Sequence, residues 1–178
     1  MLQAAGFAFD VIPADINEAM MPGEEAEEYV GRVARQKAEA TARVAPGRPV
    51  LGADTVVVVD GMVVGKPAGD ADARRMLAAL SGRTHTVLTA VCLINPVEAP
   101  GRVWSRVART CVEFAPLSEA DIAEYVASGE PADKAGAYAI QGLASRFVTR
   151  IEGSYSNVVG LPVSLVYGLC REAGLLVS

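Results

Sequence analysis

Three polar residues stand where the surrounding pattern is apolar. Asp54 lies between Val50-Leu51-Gly52-Ala53 and Val56-Val57-Val58-Val59. A carboxylate in that setting is costly to bury unless it is paired or bound to a metal. Beside a cleft it makes a good general base for water. A turn aspartate bonded to backbone amides, with Thr55 assisting, fits the same local pattern. Lys66 sits in Gly65-Lys66-Pro67, where glycine admits a ligand to the backbone and proline stiffens the chain. A lysine held there can neutralise phosphate oxygens or be an ordinary loop lysine. Lys37 falls four residues after Val33 and three after Ala34, on or beside a helical apolar stripe. It either snorkels to solvent or points into a polar pocket under the helix.

Two polar loops extend this set. The stretch Glu130-Pro131-Ala132-Asp133-Lys134-Ala135-Gly136-Ala137-Tyr138 mixes charge with small residues that let a ligand approach the backbone, and Ala139-Ile140-Gln141-Gly142 follows. Gln141 offers a donor and an acceptor for a base edge. Gly153-Ser154-Tyr155-Ser156-Asn157 is the second loop, leading through Gly160-Leu161-Pro162 to a helix start of the kind that holds anions. Taken singly, either loop also reads as plain structure. His85, without a catalytic partner marked in the sequence, reads as structural.

The elements that must position these residues follow from periodicity and turn chemistry. Phe7 to Ile12 alternates weakly and reads as a strand. A helix opens after Pro22-Gly23, with Glu24, Glu25, Glu27 and Glu28 first and Arg32, Arg35, Lys37 and Arg43 later, an order that complements the helix dipole. Val30, Val33, Ala34, Ala38 and Thr41 form its inner stripe. Pro49–Ala53 and Val56–Val59 are short apolar runs, and Asp60-Gly61 signals a hairpin to a strand at Met62–Val64. A helix with Asp70 as cap buries Ala73, Met76, Leu77 and Leu80 and ends at Gly82. Thr86–Ile94, apolar on both faces, reads as a central strand. Trp104–Phe114 reads as a one-sided strand. Ser118 and Asp121 start a helix to Val126. Phe147–Ile151 is a further strand, and Val163–Ala173 is a helix entered by Pro162 and closed by Gly174. Mixed strands and helices with at least one hairpin give an α/β class and a mixed sheet.

Composition narrows the function classes. The 178 residues suit one domain, 1–178, with a sizeable core. Hydrophobic residues at 51% and charged residues at 21% exclude a disordered chain. A net charge of -5, from 16 basic and 21 acidic residues, argues against nucleic-acid binding as the main task. Cys92, Cys111 and Cys170 form no CxxC pair, and one histidine cannot complete a Cys/His zinc set. They read as buried, reduced thiols of a cytoplasmic protein. The first residues lack the basic region of a signal peptide, and the apolar runs are too short for a membrane span.

Taken in order, GADTVVVVDGMVVGKP, LSGRTHTVLTAV, SGEPADKAGAYAIQG and IEGSYSNVVGLP resemble the Maf (septum formation inhibitor) family, with the likeness running from Gly6 to Leu176. The resemblance implies a nucleoside triphosphate pyrophosphatase that releases a nucleoside monophosphate and pyrophosphate. It implies a divalent cation, magnesium or manganese, a homodimer, and a twisted sheet flanked by helices around a central cleft, like the inosine triphosphatases. It also implies nucleotide-pool house-cleaning and a link to septation. By the same likeness Asp54 is the proton acceptor, Lys66 and Lys37 are the motif lysines, and Glu18 is the acidic residue near metal and phosphates. Asp54 and Glu18 are the candidate metal ligands. Thr55 and Gln141 bear on substrate choice and resemble the subgroup taking dTTP and UTP. Asp133 and Lys134 join them as substrate-binding residues. Family members begin with a strand and a Ser-x-Ser-Pro-Arg-Arg loop, whereas Met1-Leu2-Gln3-Ala4-Ala5-Gly6-Phe7 looks like the helix after that loop. The arginines would bind the triphosphate bidentately, as lysines do not. A rival expectation is therefore a non-hydrolysing nucleotide-binding regulator of septum formation.

Overall fold

In the computed structural model, which describes residues 1–96 and 101–176, the acid-to-base gradient after Pro22 becomes helix α1, Ala26–Val44. Glu25 caps it in a reciprocal box with Glu28, and Val30, Val33, Ala34 and Ala38 are buried as the stripe requires. Glu24 and Glu25 precede the first turn rather than belonging to it. The two apolar runs after Pro49 are one strand, β1, Val50–Val59. Asp54 and Thr55 are therefore strand residues, and the turn-aspartate reading falls. The hairpin to β2, Met62–Val64, turns at Asp60 (φ 51°) and Gly61 (φ 77°), the left-handed pair that suits a two-residue hairpin. Helix α2, Asp70–Leu80, has Gly69 rather than Asp70 as its cap, and it is the Asp72 carboxylate that accepts the Ala68 N–H at 3.0 Å.

Strand β3, Thr84–Asn95, is buried on both faces and lies third in the sheet order β2-β1-β3-β4-β5, as a central strand should. Strand β4 is Arg102–Phe114 and β5 is Val148–Glu152. The β1–β2 and β4–β5 pairs are antiparallel, in the registers Val58↔Val63 and Val112↔Ile151. Helix α3, Glu119–Ala127, starts at the Ser118–Asp121 capping box. A short helix α4, Tyr155–Val159, occupies the second polar loop, and α5, Val163–Glu172, follows Pro162. The fold is an α/β open five-stranded sheet with flanking helices. One strand expectation fails: Phe7–Ile12 has no regular structure, with Phe9, Val11 and Ile12 exposed. No strand of the sheet pairs with it, so weak alternation had nothing to register against. The opening residues form a 3-10 turn, Gln3–Ala5.

The chain divides into two compact units that alternate in sequence. The first contains Met1–Asp54, Thr89–Ala108 and Gly160–Ser178, and the second Thr55–Leu88 and Arg109–Val159. In the first, α1 lies on β1 at Gly52, where an added Cβ would meet the backbone of Ala34 and Ala38. Leu51 and Ala53, on the opposite face of the strand, pack with Val91, Leu93, Trp104, Val166 and Leu169. In the second, Val57, Leu77, Leu80, Phe114, Tyr125 and Phe147 belong to a larger core. The cysteines are unpaired, with Cys92 and Cys170 buried.

His85 sits in the second unit's core. Its Nε2 lies 2.8 Å from the Tyr138 hydroxyl, and its ring meets Phe114 and Tyr138 edge-on. Among the described residues Nδ1 has no hydrogen-bond partner. Burial pushes its pKa from 6.5 down to about 4, so the folded state holds the ring neutral while the unfolded chain binds a proton. The resulting stability is intact above pH 6.5 and declines as pH falls through 4. Urea melts should show wild type losing about 3 kcal/mol more over that window than His85→Gln. Equal slopes would place the acid sensitivity elsewhere.

Candidate active site

The contact at Gly52 decides where Lys37 points. In α1, Ala34, Lys37 and Ala38 share a face, and in β1, Gly52 and Asp54 share a face. Bringing the backbones together at Ala34, Ala38 and Gly52 therefore places the Lys37 ammonium beside the Asp54 carboxylate, with Nζ 2.8 Å from Oδ1. The same Nζ lies 3.0 Å from Glu18 Oε1. Lys37 thus points into a polar cluster and does not snorkel. The Asp54 side chain is 10% exposed and that of Glu18 is 48% exposed. One carboxylate is nearly enclosed and the other faces water. Burial works against the Lys37 charge, but its bonds to Asp54 and Glu18 outweigh that, and its pKa rises above the ordinary lysine value.

Glu18 belongs to a segment without regular structure, and two α1 side chains fix it. The Tyr29 hydroxyl donates to the Glu18 carbonyl at 2.9 Å. Arg32 donates to the Ala19 carbonyl at 3.0 Å and grips both oxygens of Glu24, at 2.6 and 2.8 Å. That bidentate pair lowers the Glu24 pKa to about 2. Burial, followed by the charges of Asp54 and Glu18, raises the Tyr29 pKa. Sequence reasoning missed Tyr29, Arg32 and Glu24. The only signal was the i, i+8 spacing of Glu24 and Arg32 across a helix start, and nothing in it specifies that the chain doubles back.

The second unit gathers other predicted residues. The Gly136 N–H donates to the Gly65 carbonyl at 2.9 Å, joining the Gly65-Lys66-Pro67 segment to the 130–137 loop. Lys134 Nζ lies 2.6 Å from Asp133 Oδ1, and that bond, with a smaller effect of the Lys66 charge, holds the Asp133 carboxyl below its usual range. Asp133 therefore feels the charge of both lysines, and Lys66 is exposed. Gln141 is exposed in the turn that precedes the 3-10 segment Leu143–Phe147. Thr55 follows Asp54 in β1 and opens the second unit.

Two oxygen ligands with room for waters and phosphate oxygens suit magnesium or manganese. Asp54 and Glu18, drawn to one ammonium, fit that donor set. Among the described residues no group of three His, Cys, Asp or Glu side chains could hold a metal ion. Among the described residues no helix is long and apolar enough to cross a membrane.

The Gly52 contact can be tested by opposite signs. Gly31 in α1 has open space for a Cβ, and Gly52 has none. Gly31→Ala is expected to stabilise the protein by about 1 kcal/mol through helix propensity. Gly52→Ala should destabilise it by about 1–3 kcal/mol through overpacking. Both are read by denaturant melts, and a neutral Gly52→Ala would show that α1 does not depend on the close approach.

Comparison with known proteins agrees with the motifs. The Maf-like protein family model matches residues 1–173. A dTTP/UTP pyrophosphatase of Anaeromyxobacter dehalogenans (strain 2CP-C) is 52% identical over 174 residues, covering 98% of this chain and 88% of the relative. Proteins of the same name from Koribacter versatilis (strain Ellin345) and Syntrophomonas wolfei subsp. wolfei are each 49% identical. The first alignment spans 99% of this chain and 89% of the relative, the second 98% and 91%. With a family model spanning nearly its whole length and relatives at about half identity, the chain belongs to the Maf-like protein family.

Proposed function

We propose that the protein is a nucleoside triphosphate pyrophosphatase acting on dTTP and UTP, the substrates named for its relatives. The observation that carries the reading is the Lys37 ammonium held between Asp54 and Glu18 at 2.8 and 3.0 Å. An enclosed carboxylate, an exposed carboxylate and a fixed cation are the parts that phosphoanhydride hydrolysis uses. The reaction needs a water deprotonated as it attacks, and negative charge neutralised on the phosphoryl oxygens. Water forms a bond to a phosphoryl centre, the anhydride bond between the α- and β-phosphates breaks, and monophosphate and pyrophosphate leave.

In this reading Asp54 accepts the proton of the water. Its place in a strand fixes it better than a loop would. Lys37 orients that carboxylate and meets phosphate oxygens, and Lys66 meets others. Asp54 and Glu18 would hold magnesium or manganese, which supplies further neutralisation of the triphosphate when bound. Thr55 and Gln141 face the pyrimidine or its sugar, with Asp133 and Lys134 beside the substrate. The proposal extends to a cytoplasmic homodimer that clears nucleotide pools and has no nucleic-acid partner. Sedimentation with and without UTP checks the dimer.

Asp54→Asn keeps the volume of the side chain and removes its basicity. With dTTP or UTP and magnesium or manganese, pyrophosphate release should fall by about 10²–10⁴-fold, the range general-base catalysis spans, with a folded circular dichroism spectrum. Near-normal turnover would remove Asp54 from the role. Nucleotide binding by wild type without pyrophosphate release would favour the non-hydrolysing regulator.

A further inference from the structure

We propose that Glu130 is a positioning residue for base selection, acting through the turn that carries Gln141. The inference rests on the reading above that Gln141 faces the base. One carboxylate holds both ends of the 139–144 stretch. Glu130 Oε2 accepts the Leu143 N–H at 2.9 Å, and Oε1 accepts the Ala144 N–H at 3.4 Å. Oε1 also accepts the Tyr125 hydroxyl at 2.8 Å. That hydroxyl in turn accepts the Ala139 N–H at 3.1 Å. Ala139 before Gln141 and Leu143 after it are thus tied to a single carboxylate–phenol pair. The pair is rooted in the core, because Tyr125 is fully buried on α3 and packs edge-on against Phe147.

The turn leaves no slack. Its own closure is the Gly142 N–H on the Ala139 carbonyl at 3.0 Å. Gly142 has an ordinary φ of -108°, so its conformation does not demand glycine. A Cβ there would strike the Glu130 carboxylate. A side chain at 142 would push the carboxylate off the backbone it lies against. Burial opposes the Glu130 charge, but the N–H of Leu143 and the Tyr125 hydroxyl, followed by Ala144 and Lys134, outweigh it, and the pKa is lowered. The group is an anion at neutral pH and accepts at every contact.

A fixed turn matters for a glutamine that reads a pyrimidine. Uracil and cytosine differ where one presents a carbonyl and the other an amino group, and a side-chain amide can satisfy either by turning over. A held backbone does not choose the amide's orientation, but it fixes how near and at what angle the amide meets the base edge, and a site that pairs one base's groups at that distance leaves a polar group of the other unpaired. Glu130 supplies that restraint from outside the contact with substrate. Glu130→Gln has one acceptor oxygen in place of two and turns an amide N–H toward a donor.

The test compares kcat and KM for UTP and CTP in wild type, Gln141→Ala, Glu130→Gln and Tyr125→Phe. Binding of the two non-hydrolysable analogues is measured alongside. Glu130→Gln is expected to reduce the UTP:CTP ratio of kcat/KM by about tenfold, mainly through KM for UTP, with kcat for UTP within about threefold of wild type. Tyr125→Phe, which keeps the ring in the core, should shift the ratio the same way, and it serves where Glu130→Gln does not fold. If Gln141→Ala erases the preference while both other variants keep it, Glu130 is merely structural and the proposal is overturned. If Gln141→Ala also keeps it, the base-reading role of Gln141 falls and the proposal with it. Absence of pyrophosphate release by wild type would defeat the enzymatic reading alone, since the analogue-binding ratio still reports base preference.

Discussion

Helix α1 can bring an ammonium to Asp54 because β1 carries no side chain at residue 52. An added Cβ there would meet the Ala34 carbonyl and, at 2.6 Å, the Ala38 nitrogen. These are backbone atoms inside a 19-residue helix, and they cannot yield as a side-chain tip could. The order of causes follows from magnitudes. A part-buried ion pair gains little net free energy once its desolvation is counted, so attraction between Lys37 and Asp54 cannot be what draws the helix in. Burial of Val30, Val33, Ala34 and Ala38 can, at about 25 cal/mol per Å² of apolar surface. Packing sets the distance, and the ion pair satisfies the charges that packing has enclosed. Losing one partner would then be costly, because the other would stay in place without it.

The two carboxylates on Lys37 are held by different means. Asp54 is fixed by strand pairing and by its neighbours in β1. Glu18 lies in a stretch where Phe9, Val11, Met20 and Met21 are exposed and Ile16 is only half-buried, so apolar burial anchors it weakly. Its restraint is polar and comes from Tyr29 and Arg32 on the helix that also carries Lys37. One helix therefore supplies both the cation and the fixtures for one of its carboxylates. The Arg32 bond, with its charged donor, is worth about 1.5–3 kcal/mol and the neutral Tyr29 bond about 0.5–1.5 kcal/mol, enough to hold a loop but less than global stability.

The sequence made these residues legible to different degrees for physical reasons. Periodicity located α1, α2, β3, α3 and α5 because their buried faces repeat at regular intervals, and the Asp60-Gly61 turn was legible because few residues tolerate its dihedral angles. Asp54 was marked as anomalous, yet the same anomaly fitted a turn. Only the unbroken strand separates the two, and unbroken pairing is a property of neighbouring strands. Phe7–Ile12 failed for the converse reason: alternation without a partner makes no strand. Lys37 was recognisable as misplaced on its stripe, but its partner lay seventeen residues away in another element. Arg32 and Glu130 were visible only as members of a charge gradient and a polar loop, since the bonds that define their roles run largely to backbone groups such as Ala19, Leu143 and Ala144, which carry no residue type.

The small residues of Ala135-Gly136-Ala137 show how a correct observation can have more than one cause. Their size suggests room for a ligand, and that reading remains within the proposal. The fold supplies a second reason that does not need a ligand. Gly136 has φ 70°, and a Cβ there would press on Val57. Ala137 follows at φ 59° and is fully buried. A left-handed alanine costs about 1–2 kcal/mol, and strain of that size persists only where the surroundings over-determine the backbone. Here the Gly136 N–H is committed to the Gly65 carbonyl, and the next residue, Tyr138, packs against Phe114 and His85. The left-handed pair turns the chain between those two commitments. It fixes Lys134 on one side and the entry to the Gln141 turn on the other, so the smallness of these residues serves placement before it serves access.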